Sequence, residues 1–197
     1  MPKIWESTVS EHRDAVRNAI LDAAGEVTLD GRAGSLNMSD LAKAARISRA
    51  TLYKYFDGLD AVLQAWHHRM VSAHLASLES VSREHDHPAE RLDAVLRQYA
   101  ILQAKRPTGQ IAIDFHNAPH MQVASDELQA VLTRVLTDAA DAGAVTRQIP
   151  IAELAVYCEH ALSAAAELTP GAAIDRLVGL VVTSLAPATA GAALART

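Results

Sequence analysis

The chain contains very little cysteine, few aromatic residues and no long apolar run. Among its 197 residues there is one cysteine, Cys158, which excludes an intrachain disulfide and a disulfide-stapled secreted fold. The longest uncharged run, 177–195, includes glycine and proline and has only a short apolar part, so we expect no membrane-spanning helix. Because the first twenty residues carry acidic side chains and no apolar leader, we expect a cytoplasmic protein.

The chain also lacks an excess of positive charge. Lys and Arg total 18 against 23 Asp and Glu, which gives a formal net charge of -5. This excludes a polybasic protein that holds nucleic acid by bulk charge, and a hydrophobic content of 50% excludes general disorder. Aromatic residues make up only 4%, yet Tyr53, Tyr55 and Phe56 lie within four positions. A functional interpretation has to explain this cluster.

No segment shows the alternating pattern of a strand, whereas helical spacing of apolar residues recurs along the chain. Leu128, Val131, Leu132, Val135 and Leu136, for example, follow the i, i+3, i+4, i+7 rule, which is typical of an amphipathic helix. The sequence therefore predicts an all-α fold, with about nine helices.

The segment 37–56, NMSDLAKAARISRATLYKYF, predicts two short helices joined by a tight turn. Asn37 and Ser48 are suitable N-cap residues, the first for a helix from about 37 to 45 and the second for a helix from about 49 to 55. Ile47 supplies an apolar residue in the turn. This pattern is that of a helix-turn-helix, whose second helix enters the DNA major groove. A solvated helical hairpin in an all-α protein is the alternative.

The second of these helices carries hydrogen-bond donors for phosphates and base edges. Leu52 and Phe56 are spaced to face inward as anchors. The segment 40–57 has four basic and two acidic residues, a balance of +2, so the remainder of the chain is -7. The predicted DNA-binding residues are Asn37, Ser39, Arg46, Ser48, Arg49, Thr51, Tyr53, Lys54 and Tyr55.

The segments RDAVRNAILDAA (13–24), NMSDLAKAARISRATLYKYF (37–56) and LDAVLQA (59–65) together resemble the N-terminal domain of TetR-family transcriptional regulators. The resemblance implies an all-α homodimer whose three-helix N-terminal domain binds palindromic operators and whose C-terminal domain senses a ligand. It places the first three helices at 10–28, 37–45 and 49–55, with a long helix from about 59. The implied domains are 1–58 for DNA binding, 59–186 for ligand binding and dimerisation, and 187–197 as a flexible tail.

The chain departs from the family pattern at two places. Arg46 occupies a turn position that is often glycine in the family; if that residue is left-handed, a side chain there costs roughly 1 kcal/mol. Leu59 and Asp60 stand at the start of the fourth helix, where the family often has a lysine that touches the DNA backbone. Both departures predict phosphate contacts that are either weaker than the usual ones or arranged differently.

The resemblance implies a dimer interface formed by the last two helices, and the residues support it. The segment 177–182 is apolar around the whole helix, which is typical of a buried helix; burial within one subunit is the alternative. The predicted interface residues are Leu154, Cys158, Leu162, Ala165, Leu177, Val178, Val181 and Leu185.

A ligand pocket between the fourth and seventh helices is likewise implied by the resemblance. The segment 106–121 predicts a short helix with irregular flanks and is a candidate gate. Small aliphatic residues around few aromatics favour a small hydrophobic effector. The candidate pocket residues are Trp66, Met70, Tyr99, Gln103, Asp114, Phe115, His116 and Met121, each of which is also compatible with an ordinary core.

We therefore predict a repressor that binds duplex DNA as a homodimer and is released by the effector. One alternative is a helix-turn-helix regulator that is controlled by a protein partner or lacks ligand sensing. Another is a helical-bundle metal-binding protein or enzyme. The sequence has no paired catalytic carboxylates with a histidine, no phosphate-binding glycine loop and no nucleophile signature, and its histidines do not converge at metal-ligand spacing. We expect no enzymatic activity, no metal and no cofactor.

Overall fold

A computed structural model describes residues 3–29, 36–105 and 120–187, and every described element is helical. The all-α prediction is thereby confirmed for this part of the chain. Eight α-helices and one short 3-10 helix at Ala164–Glu167 are present there. The α-helices are α1 (Lys3–Leu29), α2 (Met38–Ala44), α3 (Arg49–Tyr53), α4 (Leu59–Glu84), α5 (Pro88–Ala104), α6 (His120–Asp141), α7 (Ile151–Ser163) and α8 (Ala172–Leu185).

The predicted helix boundaries differ from the observed ones mainly at the ends. α1 begins at Lys3, well before the expected residue 10, and α3 ends at Tyr53 instead of 55. α3 ends early because its last turn is tightened. The Lys54 N–H donates to the Thr51 carbonyl, which is the hydrogen-bond spacing of a 3-10 helix. Among the described helices, none combines the length and the hydrophobicity that a membrane span requires.

The described residues up to Val71 form one compact unit with its own core. Trp66 is buried in this core beside Gly25, where a β-carbon would lie 2.6 Å from the indole Nε1. Only a residue without a side chain allows α1 and α4 to approach this closely. The core residues are Ile20, Leu21, Ala23, Ala24, Leu36, Met38, Leu41, Ala42, Leu52, Phe56, Val62, Leu63 and Trp66.

The second unit contains the described residues 72–105 and 120–187. Its core is formed by apolar stripes of α5, α6, α7 and α8, with contributions from Leu78 and the 3-10 helix. Ion pairs join its helices at their rims: Arg91 Nη1 lies 2.9 Å from Asp138 Oδ2, and Arg134 Nη2 lies 2.8 Å from Glu79 Oε1.

The division between the two units falls inside α4, whereas the sequence places a domain boundary before that helix. α4 therefore contributes Leu59–Val71 to the first unit and Ser72–Glu84 to the second. A functional boundary at residue 58 stays a prediction, as does the flexible tail, since residues 188–197 lie outside the described residues.

Candidate nucleic-acid interface

The first helix of the predicted helix-turn-helix, α2, begins at a side-chain cap. The Asn37 side-chain oxygen accepts hydrogen bonds from the backbone N–H groups of Ser39 (2.9 Å) and Asp40 (3.0 Å), and the Asn37 Nδ2 donates to Asp40 Oδ2 at 2.6 Å. The predicted cap is thus confirmed. The Asn37 side-chain oxygen is therefore occupied in capping α2. Ser39 is half-buried.

The turn after α2 contains the one non-glycine residue of the described chain with a positive φ angle. Arg46 has φ +56°, which is the left-handed conformation. Its N–H donates to the Lys43 carbonyl at 3.1 Å, and the next N–H, of Ile47, donates to the Ala42 carbonyl at 3.0 Å. This is the Schellman arrangement that ends many helices and favours glycine at the left-handed position. A side chain there costs about 1 kcal/mol.

The second helix, α3, is capped at its N-terminus by a serine hydroxyl. Ser48 Oγ accepts the Thr51 N–H at 3.0 Å, and the two hydroxyl oxygens lie 2.8 Å apart in a hydrogen bond. Ser48 is therefore the predicted N-cap. Since the Thr51 hydroxyl is engaged with Ser48 and the residue is half-buried, Thr51 offers less to DNA than the sequence suggests.

One side of α3 is anchored and the other faces solvent. Leu52 is fully buried and Phe56 is nearly so, which holds the five-residue helix against the first unit. We define the outer face of α3 as its exposed residues Arg49, Ala50 and Tyr53 together with the C-cap Lys54. Tyr53 is 46% exposed, and the Arg49 guanidinium carbon lies 6.0 Å from the centre of its ring. Tyr55 is half-buried at the edge of the core.

Ala50 is a member of this outer face that the sequence reasoning missed. Its exposed methyl group is of the kind that contacts a thymine methyl in the major groove. The spacing of Leu52 and Phe56 as inward anchors could have located it, because residue 50 falls on the opposite side of the helix.

A second missed residue, Arg17, comes from α1. Its guanidinium carbon lies 4.8 Å from the centre of the Phe56 ring, a cation–π distance. The contact brings an exposed cation to the end of α3. A further cation, Arg69, ties α4 to α1, because its Nη2 lies 2.7 Å from Asp22 Oδ1. Both pairs join residues distant in sequence, so no local pattern signals them.

These helices match known regulators in sequence. The family model described as bacterial regulatory proteins, tetR family, matches residues 20–66, which include α2, α3 and the start of α4. An uncharacterized HTH-type transcriptional regulator of Mycobacterium tuberculosis is 48% identical over 50 residues, 25% of this chain and 25% of that protein. Residues 20–66 thus match the DNA-binding region of the tetR family. The sequence match spans about a quarter of the length of the curated relative.

Solved structures extend the likeness to both units. A TetR/AcrR-family transcriptional regulator from Thermobifida fusca has a TM-score of 0.70 at 15% identity, covering 84% of this chain and 96% of that one. A ketosteroid transcriptional regulator of Mycobacterium tuberculosis has a TM-score of 0.63 at 14% identity, covering 86% and 94%. At these identities the likeness is one of fold. The TetR family is a family of transcriptional regulators, not of enzymes.

The structure places the predicted dimer-interface residues mainly in the chain's own core. All of them except the half-buried Leu177 are buried in the chain's own second core, so they are not available to a partner: Leu154, Cys158, Leu162, Ala165, Val178, Val181 and Leu185. The reason is that α7 and α8 carry two apolar stripes, and the sequence reasoning selected the stripe that packs inward. Burial also raises the pKa of the Cys158 thiol to about 12, so this residue stays protonated at neutral pH.

The opposite side of these helices is exposed and apolar. Leu180 is 66% exposed, Val156 49% and Tyr157 42%, and the Tyr157 hydroxyl lies 3.0 Å from the Ser184 hydroxyl, which links α7 to α8. We call Val156, Tyr157 and Leu180 the α7–α8 outer face.

The candidate pocket residues fall into different parts of the molecule. Trp66 and the half-buried Met70 belong to the first core, and Tyr99 is part of the second core, with the buried Gln103 on the same helix, α5. The remaining candidates, Asp114, Phe115, His116 and the side chain of Met121, lie outside the described residues. Their role as a ligand pocket stays a prediction.

Proposed function

We propose that this protein is a homodimeric repressor of the TetR type that binds a palindromic duplex through α3 and is released by a small hydrophobic effector. The observation that carries the proposal is the outer face of α3. Two cationic side chains and a tyrosine stand exposed on a helix whose other side is fixed by the buried Leu52. Because its DNA target would be bacterial chromosomal DNA, the proposal places the protein in the cytoplasm.

The proposed DNA contacts divide by chemistry. Lys54 has no ion-pair or hydrogen-bond partner for its side chain within the described residues, so its ammonium group can neutralise a phosphate. Tyr53 combines an exposed ring with a hydroxyl donor, and Ala50 offers only a methyl group. In a dimer the two α3 helices would lie about one DNA turn apart, near 34 Å, in successive major grooves.

The first experiment selects duplexes from a random-sequence pool with the purified full-length chain and measures affinity for the selected duplex. We expect a two-fold symmetric consensus. Tyr53→Ala and Lys54→Ala should each weaken binding by about tenfold or more, while Lys105→Ala, which removes an exposed cation from the second unit, should bind like wild type. Wild-type binding by both α3 variants would contradict the assignment of α3.

The α7–α8 outer face supports homodimerisation. Large apolar side chains are rarely left this exposed together unless something covers them, and a second copy of the same face is self-complementary about a two-fold axis. The two outer faces would then form a four-helix contact. This proposal replaces the inward stripe predicted from the sequence.

Analytical ultracentrifugation tests this interface. Leu180→Arg should convert the dimer to a folded monomer, because the guanidinium would have to be desolvated between two subunits. Ile149→Arg changes another exposed apolar residue, 43% exposed and outside both helices, and should leave the dimer intact. A Leu180→Arg variant that sediments as the wild-type dimer would contradict the proposed face.

The effector class rests on composition and on a relative of the same fold that is named for ketosteroids. An apolar effector that binds the folded state should raise the thermal midpoint and weaken binding to the selected duplex. A steroid ketone and a long-chain fatty acid are suitable probes, with a sugar of similar mass as the control. If DNA affinity is unaffected by a broad panel of apolar compounds, control by a protein partner becomes the better interpretation.

A further inference from the structure

The side chain of the left-handed Arg46, which precedes α3, makes no polar contact within the described part of the molecule. The Schellman turn fixes the backbone of residue 46, and glycine satisfies that geometry with the least strain. The Arg46 side chain is exposed, and its guanidinium makes neither a hydrogen bond nor an ion pair with any described residue. The strained residue is therefore not compensated by a contact within the described chain.

The neighbouring cations differ from Arg46 in this respect. Lys43 Nζ lies 3.4 Å from Asp40 Oδ1, and the Arg49 guanidinium lies over the Tyr53 ring. Arg46 and Lys54 are thus the cations of segment 40–57 that lack a partner among the described residues. One precedes α3 and the other follows it, so the two charges bracket the helix proposed to bind DNA.

We propose that Arg46 is a phosphate-binding residue, held in a strained backbone conformation beside α3 so that its guanidinium contacts the DNA backbone. A guanidinium suits this role because its planar fork of N–H donors can bind two phosphate oxygens at once. The contact would be made to the backbone, so it would add affinity and fix the position of α3 without reading sequence. This inference rests on the proposed DNA-binding function.

The competing explanation is local: a cation near the C-terminus of α2 interacts favourably with the helix dipole. The two explanations differ in how binding responds to salt. Each phosphate contact that is lost reduces the slope of log K against log salt by about 0.9, whereas the loss of a purely structural interaction changes stability and leaves this slope unaltered.

The experiment measures binding of the full-length chain by fluorescence anisotropy at several KCl concentrations between about 50 and 200 mM, the range over which phosphate contacts dominate the response. Two duplexes serve as probes: the selected one, and an unrelated sequence of equal length. The variants are Arg46→Ala, which removes the charge, Arg46→Gly, which removes charge and strain, and Arg46→Lys, which retains a charge. Arg83→Ala, at an exposed position of α4 in the second unit, is the matched control.

We expect Arg46→Ala and Arg46→Gly to lower the salt slope by about 0.9 per bound protomer on both duplexes, with Arg46→Lys losing less and Arg83→Ala unchanged. Arg46→Gly should also have a higher thermal midpoint than wild type, so its weaker binding could not be attributed to unfolding. A wild-type slope in both charge-removing variants would overturn the inference. Failure of the wild type to bind either duplex would instead overturn the proposed function on which it rests.

Discussion

The helices of the two units begin in different ways. In the first unit, α2 and α3 start at side-chain caps from Asn37 and Ser48, each within three residues of the groups it satisfies. In the second unit, α5, α7 and α8 start at His87, Pro150 and Gly171 without a side-chain cap. Their positions depend on packing and on ion pairs between helices instead. Short helices are marginally stable by themselves and depend on local caps, whereas long helices with a wide apolar stripe are stabilised mainly by packing.

The largest effect expected from a single substitution comes from the cores, where the units should behave alike. Leu52→Ala and Leu162→Ala each remove a fully buried leucine, one from each core, and each should cost about 2–5 kcal/mol in the free energy of unfolding. Denaturant unfolding followed by circular dichroism measures this. A cost below the range for Leu52 alone would mean that α3 is held by its caps more than by its anchor.

A smaller effect is expected at the caps. Ser48→Ala removes the acceptor for the Thr51 N–H and should lower stability by about 1 kcal/mol. Ser48→Asp retains an acceptor and should be as stable as wild type, yet bind DNA more weakly because a carboxylate would approach phosphates. The corresponding alanine substitution at His87, which makes no side-chain cap, should change stability little. Equal losses at Ser48 and His87 would remove the contrast between the units.

The smallest effect is expected at the ion pairs of the second unit. The Arg134–Glu79 pair is half-exposed, so its coupling energy should not exceed about 1 kcal/mol. A double-mutant cycle with Arg134→Ala and Glu79→Ala measures the coupling and separates it from the packing of either side chain. A value several times larger would mean that ion pairs, more than apolar stripes, position the helices of this unit.

The first unit was the more predictable from sequence because its signals are local. The caps at Asn37 and Ser48 involve residues a few positions apart, and the structure confirms both of them. The end of α3 was wrong by two residues because its last turn tightens. The contacts that α1 makes with Phe56 and Trp66 could not be foreseen, since nothing in either neighbourhood specifies a distant partner.

The sequence by itself determined that the described part of this protein is helical and where α2 and α3 begin, because periodicity and capping act over a few residues. Only the tertiary structure decided which side of α7 and α8 faces inward. Both sides are apolar, and residue type does not distinguish them: Val178 is buried, whereas Leu180, which is larger, stays exposed. The choice depends on which stripe meets α5 and α6, and that contact is made by residues far apart in the chain.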